Sequence, residues 1–170
     1  NTKRTLPIQT LKSGKVISLL YETNLNTPLG RLGLLADDSC LIELSLQGLK
    51  GLSVRGKPEK ERFKVEIEEL TQYFSKKRDS FTFKIQIGGT DFQKLVFKNM
   101  KTIKYGKVLT YKELATKIGK PKAYRAVGSA CGANKIPIVI PCHRVVSSTG
   151  LGGFGGGIRR KKFLLNLESN

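Results

Sequence analysis

Apolar residues in the first half of the chain recur mostly at the two-residue spacing of β-strands. Short apolar or alternating runs occupy residues 16–21 and 41–46, and apolar residues alternate with polar ones over 81–87. This spacing predicts strands with one buried face. Between the second and third runs, four residues recur at the spacing of a core-facing helix: Phe63, Ile67, Leu70 and Phe74. The basic, glycine-containing stretch 50–58 predicts an exposed loop. No chemistry stands out in this half, which we interpret as a scaffold.

From residue 90 onward the pattern changes to short helices. Thr90 with Gln93 and Thr110 with Glu113 fit the capping box, in which each side chain bonds a free backbone N–H at a helix start. The residues expected to face inward are Phe92, Val96, Met100 and Ile103 in the first helix and Leu114, Ala115 and Ile118 in the second. The second helix should end at the Gly-Lys-Pro that follows it, and a third should span about 122–131. Two short helices joined by a short, glycine-containing turn indicate a helix-turn-helix.

The third predicted helix carries unusually small side chains on part of its surface. Ala123, Ala126 and Gly128 carry little bulk, while Lys122 and Arg125 carry charge. One interpretation is close packing against a neighbouring helix. The other is insertion into the minor groove of DNA, which is too narrow for most side chains.

The charge of the chain favours the DNA interpretation. Its 170 residues include 31 Lys and Arg against 13 Asp and Glu, a formal net charge of +18. Nucleic acid is the commonest partner for such an excess. A membrane partner is not expected, because the sequence contains no strongly basic amphipathic helix and no apolar run of the roughly 18 residues that a spanning helix needs. The N-terminus leads into no signal-peptide stretch, so we expect an intracellular protein.

One short motif carries candidate chemistry. The β-branched run 138–140 predicts a buried strand, and it leads into Pro141, Cys142, His143 and Arg144. A thiolate is a strong nucleophile, and a nearby base or positive charge helps it form. Adjacent strand residues point to opposite faces, so contact between the thiol and the imidazole would need a turn at the proline or a bridging water. From these residues alone, a buried structural cysteine beside a hydrogen-bonded histidine remains an alternative.

The same motif resembles the active-site signature of the O6-alkylguanine-DNA alkyltransferases, which repair DNA by accepting an alkyl group on a cysteine. The similarity extends in order and spacing over residues 90–168, and it includes 105–108, 110–111, 125–128, Asn134 and 140–145. The resemblance implies an α+β fold. A small N-terminal antiparallel-sheet domain of RNase H-like type would cover residues 1–88. A mostly helical, winged-helix-like domain with the helix-turn-helix would cover 89–170.

The resemblance also implies a role for each matching residue. Cys142 would accept the alkyl group, His143 would take the thiol proton through a water, and Glu168 would orient the imidazole. Asn134 would brace the turn before the cysteine. The implied DNA-binding residues are Tyr111, Lys122, Ala123, Arg125, Ala126 and Gly128, with Arg125 filling the gap left by an extruded nucleotide. The implied substrate pocket comprises Tyr111, Val145, Phe154, Gly155 and Gly156.

Two features limit the cofactors. Some family members bind zinc in the N-terminal domain, but this half contains only Cys40 and no histidine, so we predict no metal. The glycines over 150–155 fit a dinucleotide fingerprint, but the following helix and second strand that it needs have no room in the 15 residues that remain. We therefore predict no nucleotide cofactor.

Some family members carry Tyr and Ser where this chain has Phe154 and Gly155.

The resulting hypothesis is a stoichiometric DNA-repair methyltransferase. It would extrude O6-alkylguanine from duplex DNA, because a buried thiol cannot reach O6 of a stacked base. We expect a monomer, located in the nucleus if the source is eukaryotic. One alternative is a non-catalytic helix-turn-helix protein that binds alkylated DNA, against which Cys142 argues. A cysteine hydrolase is the other, and no oxyanion-hole arrangement supports it.

Overall fold

The computed structural model describes residues 19–169, and its first part is a four-stranded sheet. Strands β1 (Tyr21–Thr27), β2 (Gly30–Ala36) and β3 (Leu41–Ser45) are antiparallel neighbours. Strand β4 (Lys57–Pro58) adds a two-residue parallel edge beside β1, within the stretch predicted as a loop. The predicted antiparallel sheet is therefore confirmed, with a short parallel addition.

Two strand predictions in this part need correction. Of the predicted run 16–21, residues 16–18 lie outside the described part of the chain, and β1 begins only at Tyr21. Residues 81–87 do not form a continuous strand, and Ile85 alone makes a β-bridge to Leu41. The aromatic rings of this segment pack on helix α1 instead: the rings of Phe81 and Tyr73 lie 5.5 Å apart. The alternation therefore corresponds to a half-buried face, and backbone hydrogen bonds join this segment to β3 only at Leu41.

The predicted helix of the first half is confirmed. After a 3-10 turn over Lys60–Phe63, helix α1 spans Lys64–Phe74. Its inward face includes Leu70 and Tyr73, both fully buried. This helix packs on the sheet and, through Tyr73, also reaches the second half of the molecule.

The second part is mostly helical, as predicted. It contains helices α2 (Asp91–Met100), α3 (Tyr111–Lys117), α4 (Tyr124–Gly132) and α5 (Ile158–Glu168). The capping boxes at the starts of α2 and α3 are both present, so these two predictions are confirmed.

Helices α3 and α4 form the helix-turn-helix. The chain leaves α3 through Gly119, whose φ of 73° is left-handed, and enters α4 through a 3-10 turn over Pro121–Ala123. Strands β5 (Leu109–Thr110) and β6 (Val145–Val146) pair beside α3 in a small parallel sheet. The predicted α+β class, a sheet followed by a mostly helical unit, is confirmed.

The two parts share one continuous apolar core, which runs from Leu34 of the sheet to Leu164 of α5. A backbone hydrogen bond of 2.9 Å from the Leu44 N–H to the Lys135 carbonyl also joins them. Within residues 19–169, no helix is both long enough and apolar enough to cross a membrane.

Candidate active site

Cys142 lies in a turn, not at the end of a strand. The predicted strand 138–140 is wrong, because Ile138 has a φ of 74° and the Ile140 N–H bonds back to the Ile136 carbonyl at 2.9 Å. Asn134 holds this turn: its Nδ2 donates to the Ile140 carbonyl at 2.7 Å, and its Oδ1 accepts from the Ile136 N–H at 3.0 Å. The side-chain amide thus takes the backbone groups that a sheet ladder would have used.

The turn continues into a 3-10 segment over Cys142–Arg144. All three of these side chains are buried. The described residues contain no hydrogen bond between the thiol and the neighbouring imidazole, which agrees with the expectation that adjacent positions point apart. This tight backbone turn directs the side chains of His143 and Arg144 to Glu168 of α5.

The thiol lies in an environment with opposing effects on its charge. Burial raises the pKa of Cys142, whereas the Asn134 amide and the positive charge of Lys161 act to lower that pKa. Lys161 is itself fully buried, and its Nζ donates to the Val145 carbonyl at 2.6 Å and to the Gly153 carbonyl at 3.0 Å. Burial also lowers the pKa of Lys161. The result is a protonated thiol close to a cation.

The imidazole of His143 is held through one nitrogen only. Its Nε2 lies 2.7 Å from Oε1 of Glu168, whereas Nδ1 is buried with no hydrogen-bond partner among the described residues. Burial lowers the pKa of His143, although the Glu168 carboxylate opposes this. Because an ionised carboxylate only accepts hydrogen bonds, a neutral His143 carries its proton on Nε2. Its Nδ1 then has a free lone pair and can act as a base.

Glu168 is the centre of a buried network of donors. Nε of Arg144 lies 2.8 Å from Oε2 and Nη2 lies 2.9 Å from Oε1, a two-point contact. The Tyr73 hydroxyl donates to Oε1 at 2.6 Å, and the Gly106 N–H donates to Oε2 at 3.3 Å. Burial alone would raise the pKa of Glu168, but the bonds from His143 and Arg144 outweigh it and lower that pKa to about 2. The carboxylate therefore stays charged.

A cavity of about 500 Å3 adjoins Cys142. Of the residues expected in the site, Asn134, Cys142, Phe154, Gly155 and Gly156 line it. Tyr111 and Val145 do not: Val145 is fully buried in β6. The first half of the chain contributes Glu43, Leu44, Ser45, Leu46, Gln47 and Gly51 to the lining.

Cys131 lines the same cavity. Burial raises its pKa to about 12. Unlike Cys142, it receives no hydrogen bond from Asn134 that would lower its pKa. Both thiols are therefore held in the protonated form by burial, and Cys142 alone has Asn134 as a partner that opposes this effect.

Tyr111 stands between two glycines beside the site. Its ring lies 3.8 Å from where a Cβ of Gly128 would be, and only 2.8 Å from where a Cβ of Gly152 would be. Gly152 also has a left-handed φ of 71°. A side chain at Gly152 would collide with the ring and strain the backbone, so the position of Tyr111 depends on this glycine.

Helix α4 and the 3-10 turn before it expose a surface that combines positive charges with small side chains. Lys122, Arg125 and Ala126 are exposed, and Ala123 and Gly128 are half-buried. The opposite face, with Val127 and Ala130, is buried in the core. The guanidinium of Arg125 lies 5.8 Å from the ring of Tyr124 and makes no ion pair among residues 19–169.

Sequence reasoning missed three members of the site. Arg144 was recognised only as part of the motif, although its Nη1 also donates to the Ile103 carbonyl at 2.6 Å. Lys161 lies within the basic run 159–162, and only its position one helical turn from Leu164 distinguishes it. Tyr73 is not one of the four residues of the predicted apolar stripe of α1, and no local pattern marks it.

Comparison with protein families finds two matches that together span most of the chain. Residues 20–87 match the ribonuclease-like domain of 6-O-methylguanine DNA methyltransferase, and residues 91–170 match its DNA-binding domain. The first description agrees with the predicted RNase H-like class.

Individual relatives give the same result. A methylated-DNA--protein-cysteine methyltransferase of Methanosarcina barkeri is 43% identical over 155 residues, which cover 89% of this chain and 98% of the relative. A crystal structure of Mycobacterium tuberculosis OGT in complex with DNA is 39% identical with a TM-score of 0.82, and the match covers 87% of this chain and 92% of that one. An O6-methylguanine DNA methyltransferase structure from Methanococcus jannaschii is 30% identical with a TM-score of 0.63, and covers 86% and 92%.

Proposed function

The chain belongs to the 6-O-methylguanine DNA methyltransferase family, and we propose that it repairs DNA by transferring the alkyl group of O6-alkylguanine to its own Cys142. One observation carries the assignment of residues. The Cys142 thiol borders a cavity, and the adjacent His143 has a free Nδ1 while Glu168 holds its Nε2. A nucleophile, a base and a group that orients the base are thus present in one site.

The reaction is a single displacement at carbon. The sulfur of Cys142 attacks the alkyl carbon, the bond from that carbon to O6 breaks, and its electron pair stays on the guanine. The thiol proton passes through a bridging water to Nδ1 of His143. The departing guanine takes a proton from the Tyr111 hydroxyl, whose pKa burial raises. The resulting phenolate is reprotonated from water and His143 releases its proton to water, so that both residues end the reaction neutral. Asn134 keeps the cysteine in place through the turn that it braces.

The transfer occurs once per protein molecule. A thioether is a very poor leaving group, and no second nucleophile is needed for the repair itself. The protein is therefore consumed in proportion to the lesions that it repairs. A thiol whose pKa is raised by burial suffices for this purpose, because the sulfur has to react only once.

Access to O6 requires the base to leave the duplex. We propose that α4 enters the minor groove with its small face and that Arg125 occupies the gap in the base stack. Exposed lysines, which contribute to the net charge of +18, would supply salt-dependent contacts to phosphates.

The remaining proposals concern organisation and place. We propose a scaffold domain over 1–88 and a DNA-binding, alkyl-accepting domain over 89–170, supported by the two family matches on either side of that boundary. We also propose that the protein acts as a monomer without a metal or nucleotide cofactor. Its DNA substrate favours an intracellular location, and the nucleus in a eukaryote.

Intact-protein mass spectrometry tests the proposed function. The protein is incubated with an excess of duplex DNA containing O6-benzylguanine, and peptide mapping then locates the adduct. We expect one benzyl group per chain, on Cys142 and not on Cys131 of the same cavity. An unchanged mass after incubation with excess substrate would refute the proposal.

Replacing Arg125 by Ala should slow repair of duplex DNA by about tenfold or more. In this variant no side chain fills the gap in the base stack, so the free energy needed to extrude the base is no longer offset. The rate with free O6-benzylguanine should be unchanged, since no base is extruded. Single-turnover rates with the two substrates measure this difference.

Lys122→Ala is the matched control, since it also removes one exposed positive charge next to α4. It should weaken DNA binding at moderate salt without a specific loss in the duplex rate at saturating DNA. Equal effects of the two variants on that rate would contradict the role of Arg125.

A further inference from the structure

The hydroxyl of Tyr73 reaches the site from the first half of the molecule. Tyr73 lies in the last turn of α1, is fully buried, and donates to Oε1 of Glu168 at 2.6 Å. Its ring is fixed by aromatic neighbours: Phe81 lies 5.5 Å away, and Tyr105 lies 6.0 Å away at an interplanar angle of 84°. Packing alone would require only a phenylalanine here, so the phenol has a separate role to explain.

The oxygen that accepts this bond is the one that holds His143. Oε1 of Glu168 accepts from Nε2 of His143 at 2.7 Å and from Nη2 of Arg144 at 2.9 Å, in addition to the hydroxyl of Tyr73. Its position is thus fixed from three directions. Among these three donors, Tyr73 alone belongs to the sheet-containing half of the chain.

We propose that Tyr73 is a positioning residue for alkyl transfer, which makes the N-terminal unit a functional part of the site as well as a scaffold. This inference rests on the proposed function. The hydroxyl fixes the carboxylate of Glu168 in the position in which it holds Nε2 of His143, and this leaves Nδ1 of the same ring free to act as a base. At metal sites, groups that hold the hydrogen-bonding partner of a histidine affect activity by about tenfold or more, and we expect a loss of the same order here.

The hydroxyl also sets the charge available to His143. Each donor to Oε1 draws on its negative charge, so removing one makes the oxygen a stronger partner for an imidazolium. The other groups that face the pair remain unchanged: Arg144 from the turn, Lys161 from α5, Cys142 at the cavity, and the ring of Tyr105, whose hydroxyl donates to the Leu167 carbonyl. Loss of the hydroxyl should therefore stabilise protonated His143, which is inactive as a base.

Tyr73→Phe tests this proposal in the full-length protein. We expect the single-turnover rate at neutral pH to fall about tenfold and the acid side of the pH–rate profile to move upward by about half a pH unit. Since His143 is the only histidine of the chain, its ring resonances in an NMR titration report its pKa without overlap. That pKa should rise in the variant. A purely structural role would lower the rate or the melting temperature, but the midpoint of the pH–rate profile and the midpoint of the His143 titration would both stay unchanged.

Tyr105→Phe is the matched control. It removes a hydroxyl from a neighbouring ring that bonds a backbone carbonyl at 3.2 Å and not the carboxylate of Glu168. The two midpoints should stay at their wild-type values. Unchanged midpoints in Tyr73→Phe, or equal shifts in both variants, would overturn the proposal.

The outcomes separate this inference from the proposed function. A wild-type protein that takes up no alkyl group refutes the function, whatever Tyr73 does. A wild-type protein that is alkylated, with a Tyr73→Phe variant of identical pH profile and histidine titration, refutes the positioning role alone. If the variant does not fold, the wild-type protein still decides: a nuclear Overhauser contact between the Tyr73 hydroxyl proton and the Nε2 proton of His143 supports the role, and its absence overturns it.

Discussion

Replacement of Cys142 by Ala should abolish alkyl uptake completely while DNA affinity stays within about twofold of wild type. The sulfur is the only group in the proposed reaction that forms a bond to the alkyl carbon, so no residual rate is expected. The exposed surface that we propose to bind DNA includes Lys122, in the turn before α4, and Arg125 of α4, and it does not involve the buried cysteine. Intact mass after incubation with alkylated duplex measures the first effect, and fluorescence anisotropy measures the second.

Cys131→Ala provides the comparison within the same cavity. It removes a partly buried thiol whose pKa burial raises to about 12, and it should leave the stoichiometry of one alkyl group per chain unchanged. A benzyl adduct on Cys131 in the Cys142→Ala protein would contradict the assignment of the acceptor. It would also show that proximity to the substrate matters more than the hydrogen bond from Asn134.

Burial of the reactive thiol suits a protein that reacts once. A catalyst with many turnovers gains from a low thiol pKa, which keeps the thiolate available but also exposes it to oxidation. Here burial raises the pKa of Cys142, and Lys161 and Asn134 oppose that rise from fixed positions. The thiol is therefore protected before the lesion arrives, and the groups that stabilise a thiolate are already in place.

Features set by neighbouring residues were predictable from the sequence. The helix starts at Thr90 and Thr110 followed from the capping-box pattern. In each box, both hydrogen bonds join the threonine to the residue three positions later, so the pattern is visible in four consecutive residues. The turn between α3 and α4 followed from Gly119 in the same way. The motif around Cys142 predicted the chemistry through resemblance, because side chains that react must keep their type.

Features that depend on distant partners were not predictable. The run 138–140 has the composition of a strand, but Asn134 binds its backbone groups and Ile138 adopts a left-handed φ. Strand propensity reflects the fit to neighbouring strands, and over residues 19–169 no strand pairs with this run. The contact from Tyr73 to Glu168 spans 95 positions in the chain, so no local pattern could reveal it.

The buried carboxylate of Glu168 makes acid stability a second large effect. Its pKa is lowered from 4.5 to about 2 in the folded protein. An acidic group with a lowered folded pKa stabilises the fold fully above its unfolded pKa, and this contribution is lost as the pH falls toward the folded value. For Glu168 the loss should occur between about pH 4.5 and about pH 2. Its partner Arg144 is also buried and would then lack a counter-charge.

Glu168→Gln should therefore lower the free energy of unfolding at pH 7 by about 3 kcal/mol, the cost of leaving one charge of a buried pair uncompensated. It should also flatten the fall in stability from pH 4.5 toward pH 2, because the titrating group is absent. Urea denaturation at a series of pH values measures both effects. Glu61→Gln serves as the control, since it removes an exposed carboxylate and should leave stability within about 0.5 kcal/mol. If Glu168→Gln retained the wild-type slope with pH in this range, another group would have to account for the acid dependence.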